Sequence, residues 1–192
     1  SDVVGGCVVA ASDELGEEIA YWANCIGITG APFDSFLTLR GVRTLFPRIR
    51  QHEESASLVA HVLDDHAFVE RVYYPGLAAH PGHEIARRQQ RGFGGMVSFE
   101  ISGGEDAVRN FLAHLHLFSL AESLGGVESL VCHPATMTHA PVAADALETA
   151  GIRRNLIRLS IGLESGEDLL DDILQALEAS RVVTELPVAA AG

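Results

Sequence analysis

The chain has 192 residues, of which 47% are hydrophobic and 20% charged, and its formal net charge is −13. This composition is typical of a globular domain with a sizeable core and excludes predominant disorder. The thirteen basic residues are all arginine and form no continuous basic tract, so the acidic balance disfavours nucleic acid and anionic membranes as partners. No stretch resembles a transmembrane helix, and three widely spaced cysteines favour a reducing compartment, so we expect a cytoplasmic protein.

The N-terminal region predicts a short strand followed by a helix. The apolar run at 7–11 lies between Gly6 and Ser12, which favours a strand. Ser12 suits an N-cap, and the residues after it place apolar side chains on one helical face. These side chains are Leu15, Ile19 and Trp22.

A second, longer helix is predicted from Pro32, because proline is favoured in the first turn of a helix. Its apolar residues recur at spacings of three and four as far as Leu63, with a kink expected at Pro47. A helix of this length often connects two lobes. We therefore place a domain boundary near residue 50, which assigns 1–50 to one domain and 51–192 to the next.

After residue 50, strand and helix patterns alternate, which predicts an α/β domain. The segments that we assign to strands are 69–73, 96–101, 127–131 and 156–161. The segments that we assign to helices are 83–90, 105–115 and 166–179. We expect a loose tail after Val183.

Arg158 is the strongest candidate for chemistry, because it interrupts the apolar strand 156–161. Side chains alternate along a strand, so Arg158 and Ser160 share one face while Ile157 and Leu159 share the other. A guanidinium within a strand needs an anionic partner and binds a carboxylate with two parallel hydrogen bonds. That partner is either an acidic side chain of this chain, which is the commoner arrangement, or the carboxylate of a ligand.

Other polar segments give weaker signals. Gly125 and Gly126 lie in the polar segment 122–129 and allow either a tight turn or the close approach of a ligand. The glycines of 92–95 precede a strand, whereas phosphate-binding loops follow one, so we interpret them as a turn. Nine histidines and three cysteines match no recurring zinc spacing, and we expect no metal.

Several segments together resemble the second half of the Cys/Met-metabolism family of pyridoxal-phosphate-dependent enzymes. They keep the order of the family and span nearly the whole chain: 1–6 (SDVVGG), 32–35 (PFDS), 39–41 (LRG), 74–77 (YPGL), 92–99 (GFGGMVSF), 121–130 (AESLGGVESL), 133–140 (HPATMTHA) and 156–160 (LIRLS). The resemblance implies an α/β fold of type I, similar to aminotransferases. The end of the large cofactor-binding domain, 1–50, would be followed by a small C-terminal α/β domain, 51–192.

The resemblance also implies roles for individual residues. Arg158 resembles the arginine that binds the α-carboxylate of the substrate, and Ser123 resembles a serine that helps to hold it. Glu122 resembles an acidic residue of members that act at the γ-carbon, and Asn24 is expected to face the distal end of the substrate. The implied cofactor is pyridoxal 5'-phosphate. Because the chain contains no lysine, we expect the lysine that forms the aldimine upstream of Ser1, and no catalytic or cofactor-binding residue within the chain.

Residues 20–24 and 26–30 most resemble the bacterial γ-synthases of this family, which join L-cysteine to O-succinyl-L-homoserine and release succinate. A γ-lyase that cleaves cystathionine is the alternative within the family, and a non-catalytic interaction domain is the alternative if these residues are the whole protein. The implied substrates are amino acids, namely an O-acylhomoserine with cysteine, or cystathionine. The implied partners are the N-terminal half of the same enzyme and further copies in a homotetramer.

Overall fold

The computed structural model describes residues 3–181, apart from the side chain of Ala144. These residues form both helices and strands, so the predicted α/β class is confirmed. The helices are α1 (Asp13–Ile26), α2 (Pro32–Val42), α3 (Leu45–Asp64), α4 (His83–Gln89), α5 (Gly104–His114), α6 (Ala144–Thr149) and α7 (Gly166–Arg181). The strands are β1 (Val69–Tyr73), β2 (Met96–Ile101), β3 (Ser119–Leu120), β4 (Leu130–Cys132) and β5 (Leu156–Ser160).

The chain divides into two compact units, one ending at Pro47 and the other beginning at Arg48. The first unit contains α1 and α2. The Ser12 Oγ accepts a hydrogen bond from the Leu15 amide at 3.3 Å, and Gly27 ends α1 with a φ of 73°. No residue of α1 or α2 is buried.

The strand predicted at 7–11 is wrong. These residues have no regular secondary structure, and the described sheet contains no strand before β1. An apolar run becomes a strand only when a neighbouring strand satisfies its amide and carbonyl groups. The run alone therefore could not decide its structure.

The long helix predicted from Pro32 is two helices. α2 ends at Val42 and α3 begins at Leu45, so Pro47 lies in the first turn of α3. Proline is tolerated there because the first amide groups of a helix have no partner within it, and Pro47 does not kink the helix interior. The chain passes from the first unit to the second within this turn, close to the predicted boundary. The assignment of 1–50 and 51–192 to separate domains stays a prediction.

The second unit contains a five-stranded sheet in the order β1-β2-β5-β4-β3. The pairs β1–β2, β2–β5 and β4–β5 are antiparallel, and β3–β4 is parallel. β5 therefore occupies the centre of the sheet. Arg158 lies opposite Ser98 of β2 on one side and opposite Cys132 of β4 on the other.

One face of this sheet forms the hydrophobic core with helices α3, α5 and α7. Alternate residues of β2 and β5 are fully buried there: Val97, Phe99, Ile157 and Leu159. The helices contribute Val59, Phe111 and Ile173, which belong to the same buried cluster. The alternation that buries these side chains places Arg158 and Ser160 on the opposite face, as the sequence predicts.

Some short elements differ from the prediction. The strand expected at 127–131 is limited to β4, and residues 121–129 connect β3 to β4. Neither β3 nor α6 is predicted, because two and six residues are too few for a periodic pattern to be measured. The tail after Val183 lies outside the described residues. Within 3–181, no helix combines the length and apolar character needed to span a membrane.

Candidate functional site

Arg158 projects from β5 against the loop of residues 121–129. Its Nη2 donates a hydrogen bond to the carbonyl oxygen of Glu122 at 2.8 Å and to that of Ser123 at 3.2 Å. Its Nε is buried and has no hydrogen-bond partner within residues 3–181. A buried donor on a cationic group is costly to leave unpaired, so the Nε group is the part of this guanidinium that lacks an acceptor. An anionic ligand is the partner that satisfies both its charge and its free N–H group.

The commoner arrangement for a strand arginine, an ion pair with an acidic side chain, does not occur for Arg158 within residues 3–181. Glu100 lies on the same sheet face, but both of its carboxylate oxygens are occupied. Oε1 accepts from the Tyr73 hydroxyl at 2.6 Å, and Oε2 pairs with Arg153 at 3.2 Å. Arg158 is therefore available for a carboxylate from outside the described part of the chain.

Glu100 is a residue that sequence reasoning missed. Its side chain is almost fully buried and accepts hydrogen bonds from both Tyr73 and Arg153. Burial, followed by the hydrogen bond to Glu100, raises the pKa of Tyr73. The signal was present in the sequence, because Glu100 alternates with Phe99 and Ile101 in a strand that is otherwise mostly apolar.

The tip of the 121–129 loop is fixed by Ser160, which shares a face of β5 with Arg158. The Gly125 amide donates to the Ser160 Oγ at 2.8 Å. Gly125 has a φ of 75°, a conformation that residues with a Cβ rarely adopt. The chain bends at this glycine, and the choice between a tight turn and the close approach of a ligand stays open.

The base of the same loop is fixed independently. The Ser129 amide and hydroxyl both donate to the Glu164 carboxylate, at 2.9 and 2.8 Å. The Gly162 amide donates in turn to the Ser129 Oγ at 2.8 Å. A Cβ on Gly162 would lie 2.5 Å from the Ser129 nitrogen, so only glycine fits at this crossing.

His52 of α3 is a second residue that sequence reasoning did not single out. Its Nδ1 lies 2.7 Å from the carbonyl oxygen of Ile161 and 3.1 Å from that of Gly162. Because carbonyl oxygens only accept hydrogen bonds, Nδ1 carries the hydrogen and donates it. His52 thus holds the residues that follow β5, and a lone histidine in an amphipathic helix gives no sign of this long-range contact.

The four predicted site residues fall into two groups. Glu122 and Ser123 are exposed and meet Arg158 through their carbonyl groups, and neither side chain has a hydrogen bond or ion pair within residues 3–181. Asn24 is exposed in the last turn of α1, in the other compact unit. The structure brings together Arg158, Glu122 and Ser123, and the roles of all four residues stay predictions.

Metal ligands are not clustered in this region. The described residues contain no group of three or more His, Cys, Asp or Glu side chains that could hold a metal ion. The whole sequence also lacks lysine. This part of the molecule therefore offers an arginine on one face of the sheet, next to a polar loop, as its group for binding an anion.

Comparison with known proteins identifies the family. The model of the family described as Cys/Met metabolism PLP-dependent enzyme matches residues 1–178. The chain belongs to this family. The cofactor of the family is pyridoxal 5'-phosphate. The resemblance found in the sequence is thereby confirmed.

The relatives of the chain within this family include more than one activity. Cystathionine gamma-synthase of Escherichia coli is 51% identical over 180 residues, which are 94% of this chain and 47% of the relative. Cystathionine gamma-lyase of Bacillus subtilis is 51% identical over 178 residues, 93% of this chain and 47% of the relative. The chain spans about half the length of the curated relatives that it matches.

Solved structures of the same family place the fold in type I. The cystathionine gamma synthase of Xanthomonas oryzae pv. oryzae, in complex with aminoacrylate and cysteine, is 59% identical with a TM-score of 0.90. The match covers 94% of this chain and 46% of that structure. A second structure of that enzyme, in complex with cystathionine, matches equally well.

The residues of this chain could bind a substrate of the cofactor but could not form the covalent bond to the cofactor itself. Without a lysine, the chain cannot hold pyridoxal phosphate covalently. The unpaired buried Nε of Arg158 does fit the carboxylate of an amino acid, which is the substrate class of the family. The described site thus offers a cationic group that a carboxylate could pair with.

Proposed function

We propose that this chain is the substrate-carboxylate-binding half of a cystathionine γ-synthase. The reaction is a γ-replacement, in which O-succinyl-L-homoserine and L-cysteine give cystathionine and succinate. The observation that supports it best is the Arg158 guanidinium, which has a buried unpaired Nε and no acidic partner among residues 3–181. The names of the E. coli and Xanthomonas relatives support the choice of activity.

In this proposal, the side chains near Arg158 bind and orient the amino acid. Arg158 binds the α-carboxylate and so fixes the rotation of the substrate about its Cα. Ser123 lies beside it and donates a hydrogen bond to the same substrate. Glu122 acts near the γ-carbon, and Asn24 of the first unit faces the distal end. The exposed side chains of Glu122 and Ser123 make no hydrogen bond within residues 3–181, which suits groups that bind a ligand.

The cofactor acts through residues that lie outside this chain. Pyridoxal phosphate, when bound, is an electron sink that stabilises negative charge developing at the substrate carbons. The lysine that holds it must come from another segment, because the 192 residues include none. We propose the N-terminal half of the same enzyme as that segment, and a homotetramer in the cytoplasm as the working assembly.

A cystathionine γ-lyase is the second candidate, and a specific observation supports it. The B. subtilis γ-lyase is as similar to this chain as the E. coli synthase, at 51% identity. The residues that bind the α-carboxylate serve both reactions, since both begin from an amino acid. The site around Arg158 therefore does not separate synthase from lyase.

Product analysis of the complete enzyme separates these candidates. A synthase given O-succinyl-L-homoserine and cysteine forms cystathionine and succinate. A lyase given cystathionine forms cysteine, 2-oxobutyrate and ammonia. Faster formation of cystathionine than of 2-oxobutyrate supports the synthase, and the reverse contradicts it.

The third candidate, a non-catalytic interaction domain, is tested by the intact mass of the isolated protein after borohydride reduction. We expect a chain longer than 192 residues that carries a pyridoxyl group, because reduction fixes the cofactor on its lysine. A 192-residue chain without that group contradicts the catalytic proposal.

A further inference from the structure

We propose that Ser160 is a positioning residue for the Arg158 site. Its hydroxyl oxygen holds the tip of the 121–129 loop, and the loop carbonyls in turn orient the Arg158 guanidinium. The effect expected on substrate KM rests on the proposed function. Its structural part, the restraint of Gly125, is independent of that function.

Three hydrogen bonds from one face of β5 reach three residues of the loop. Arg158 donates to the carbonyl groups of Glu122 and Ser123, and Ser160 accepts from the Gly125 amide at 2.8 Å. Ser160 is 2% exposed, so the acceptor of this hydrogen bond is shielded from water although Gly125 itself is exposed. Nothing lies within 4 Å of the place where a Cβ of Gly125 would be, so side-chain packing does not hold this residue.

The loop carbonyls decide how the guanidinium can meet a carboxylate. The fork of an arginine forms two parallel hydrogen bonds only when its plane is correctly oriented. Nη2 is fixed by the Glu122 and Ser123 carbonyls, and this leaves Nε as an unpaired donor. A loop that moves at Gly125 lets these carbonyls shift, and misplacement by a fraction of an ångström weakens the binding of the substrate.

The fold does not depend on the Ser160 contact. The base of the loop is held separately by Ser129, which contacts Glu164 and Gly162. Removal of the Ser160 hydroxyl therefore loosens the tip of the loop and leaves its base in place. This separation distinguishes a positioning role from a general structural one.

The test is Ser160→Ala in the complete enzyme, with Ser180→Ala as the matched control. Ser180 is also almost fully buried, and its hydroxyl donates to the Ala176 carbonyl within α7. For Ser160→Ala we expect the KM for O-succinyl-L-homoserine to rise about tenfold, with kcat within about threefold of the wild type. Amide hydrogen exchange in peptides that cover 121–128 should become about tenfold faster. Ser180→Ala should change neither quantity.

Two further variants complete the test. Ser160→Thr keeps a hydroxyl oxygen and should restore most of the wild-type KM. Ser160→Cys keeps the size of the side chain but offers a much weaker acceptor, and it replaces Ser160→Ala if that variant does not fold. Equal KM and equal exchange in Ser160→Ala and Ser180→Ala would overturn the proposal.

The two proposals fail in different ways. If the wild-type enzyme forms no cystathionine, the proposed function is wrong, and unchanged exchange at 121–128 in Ser160→Ala then overturns the restraint as well. If the wild type is active and Ser160→Ala keeps its KM and exchange, the positioning role alone is wrong.

Discussion

The two compact units differ in where their apolar side chains lie. In the second unit, Phe111 of α5 is fully buried and meets Phe99 of β2 edge to face, with ring centroids 5.7 Å apart. In the first unit, Phe36 of α2 is 58% exposed, and no residue of α1 or α2 is buried. Helix α1 of the first unit is as strongly amphipathic as α5, so the apolar pattern reports which face of a helix is apolar and not whether that face is covered.

The largest difference between the units is expected for aromatic truncation. Phe111→Ala should lower the free energy of unfolding by about 3–5 kcal/mol, because it removes a buried ring and leaves a cavity. Phe36→Ala should change it by no more than about 0.5 kcal/mol, because its ring is already in contact with water. Urea denaturation of both variants measures this difference. Equal losses would show that the first unit has a core of its own.

Removal of a side-chain oxygen that accepts backbone amides should also cost more stability in the second unit than in the first. Asp172 of α7 is buried and accepts from the amides of His116 and Leu117 at 2.8–3.1 Å. Asp172→Ala should cost about 2–3 kcal/mol of unfolding free energy, because it leaves these amide groups unpaired next to the core. The measurement is again the urea midpoint, with the exposed Asp106 replaced by Ala as a control. A loss equal to that of the control would contradict the role of Asp172.

Alkaline pH should destabilise the second unit through Tyr74. Burial, with a smaller effect of Glu53, raises the pKa of Tyr74 to about 12. The folded state therefore keeps the phenol proton above pH 10, where the unfolded state releases it. Stability is full below pH 10 and falls by up to about 1.4 kcal/mol per pH unit as the pH rises toward 12.

Tyr74→Phe tests this pH dependence. The variant lacks the titrating group, so its unfolding free energy should fall less steeply between pH 10 and 12. Tyr73 leaves a residual slope of the same sign, since burial raises its pKa as well. An unchanged slope would show that Tyr74 does not titrate differently in the folded and unfolded states.

Apart from that of Phe36→Ala, the smallest effect is expected for the cap of α1 in the first unit. Ser12 is exposed and accepts one amide, that of Leu15, at 3.3 Å. Ser12→Ala should cost about 0.5–1 kcal/mol of helix stability, whereas Ser12→Asp should preserve the cap. Circular dichroism over a thermal scan measures the difference. A loss as large as that of Asp172→Ala would remove the contrast between the units.

Much of the fold could be predicted from the sequence, and the failures have physical causes. The strand 156–161 was identified because its alternation is strong, and its centre, Arg158, lies where the alternation predicts. The run at 7–11 failed because a strand requires a partner, which composition does not reveal. The break between α2 and α3 was missed because Pro47 fits both a kink and a first turn.

The residues of the candidate site were proposed from the sequence and their roles stay predictions, whereas their contacts were not foreseen. The family motifs select Arg158, Glu122 and Ser123, and the structure brings these three together. The contacts through main-chain carbonyls, and the restraint by Ser160, depend on the register of β5 with its neighbours. That register joins residues more than thirty positions apart, and no local pattern encodes it.

In the proposed function, Arg158 binds the α-carboxylate of an amino-acid substrate. The most direct measurement compares kcat/KM for O-succinyl-L-homoserine with that for an analogue in which hydrogen replaces this carboxylate. Both are measured in the complete enzyme and in its Arg158→Ala variant. Arg154→Ala, which removes only an exposed partner of Glu105, is the matched control.

We predict that the wild type and Arg154→Ala prefer the carboxylated substrate by about two to three orders of magnitude, and that Arg158→Ala reduces this preference to within about tenfold. An Arg158→Ala enzyme that keeps the wild-type preference would contradict this role of Arg158.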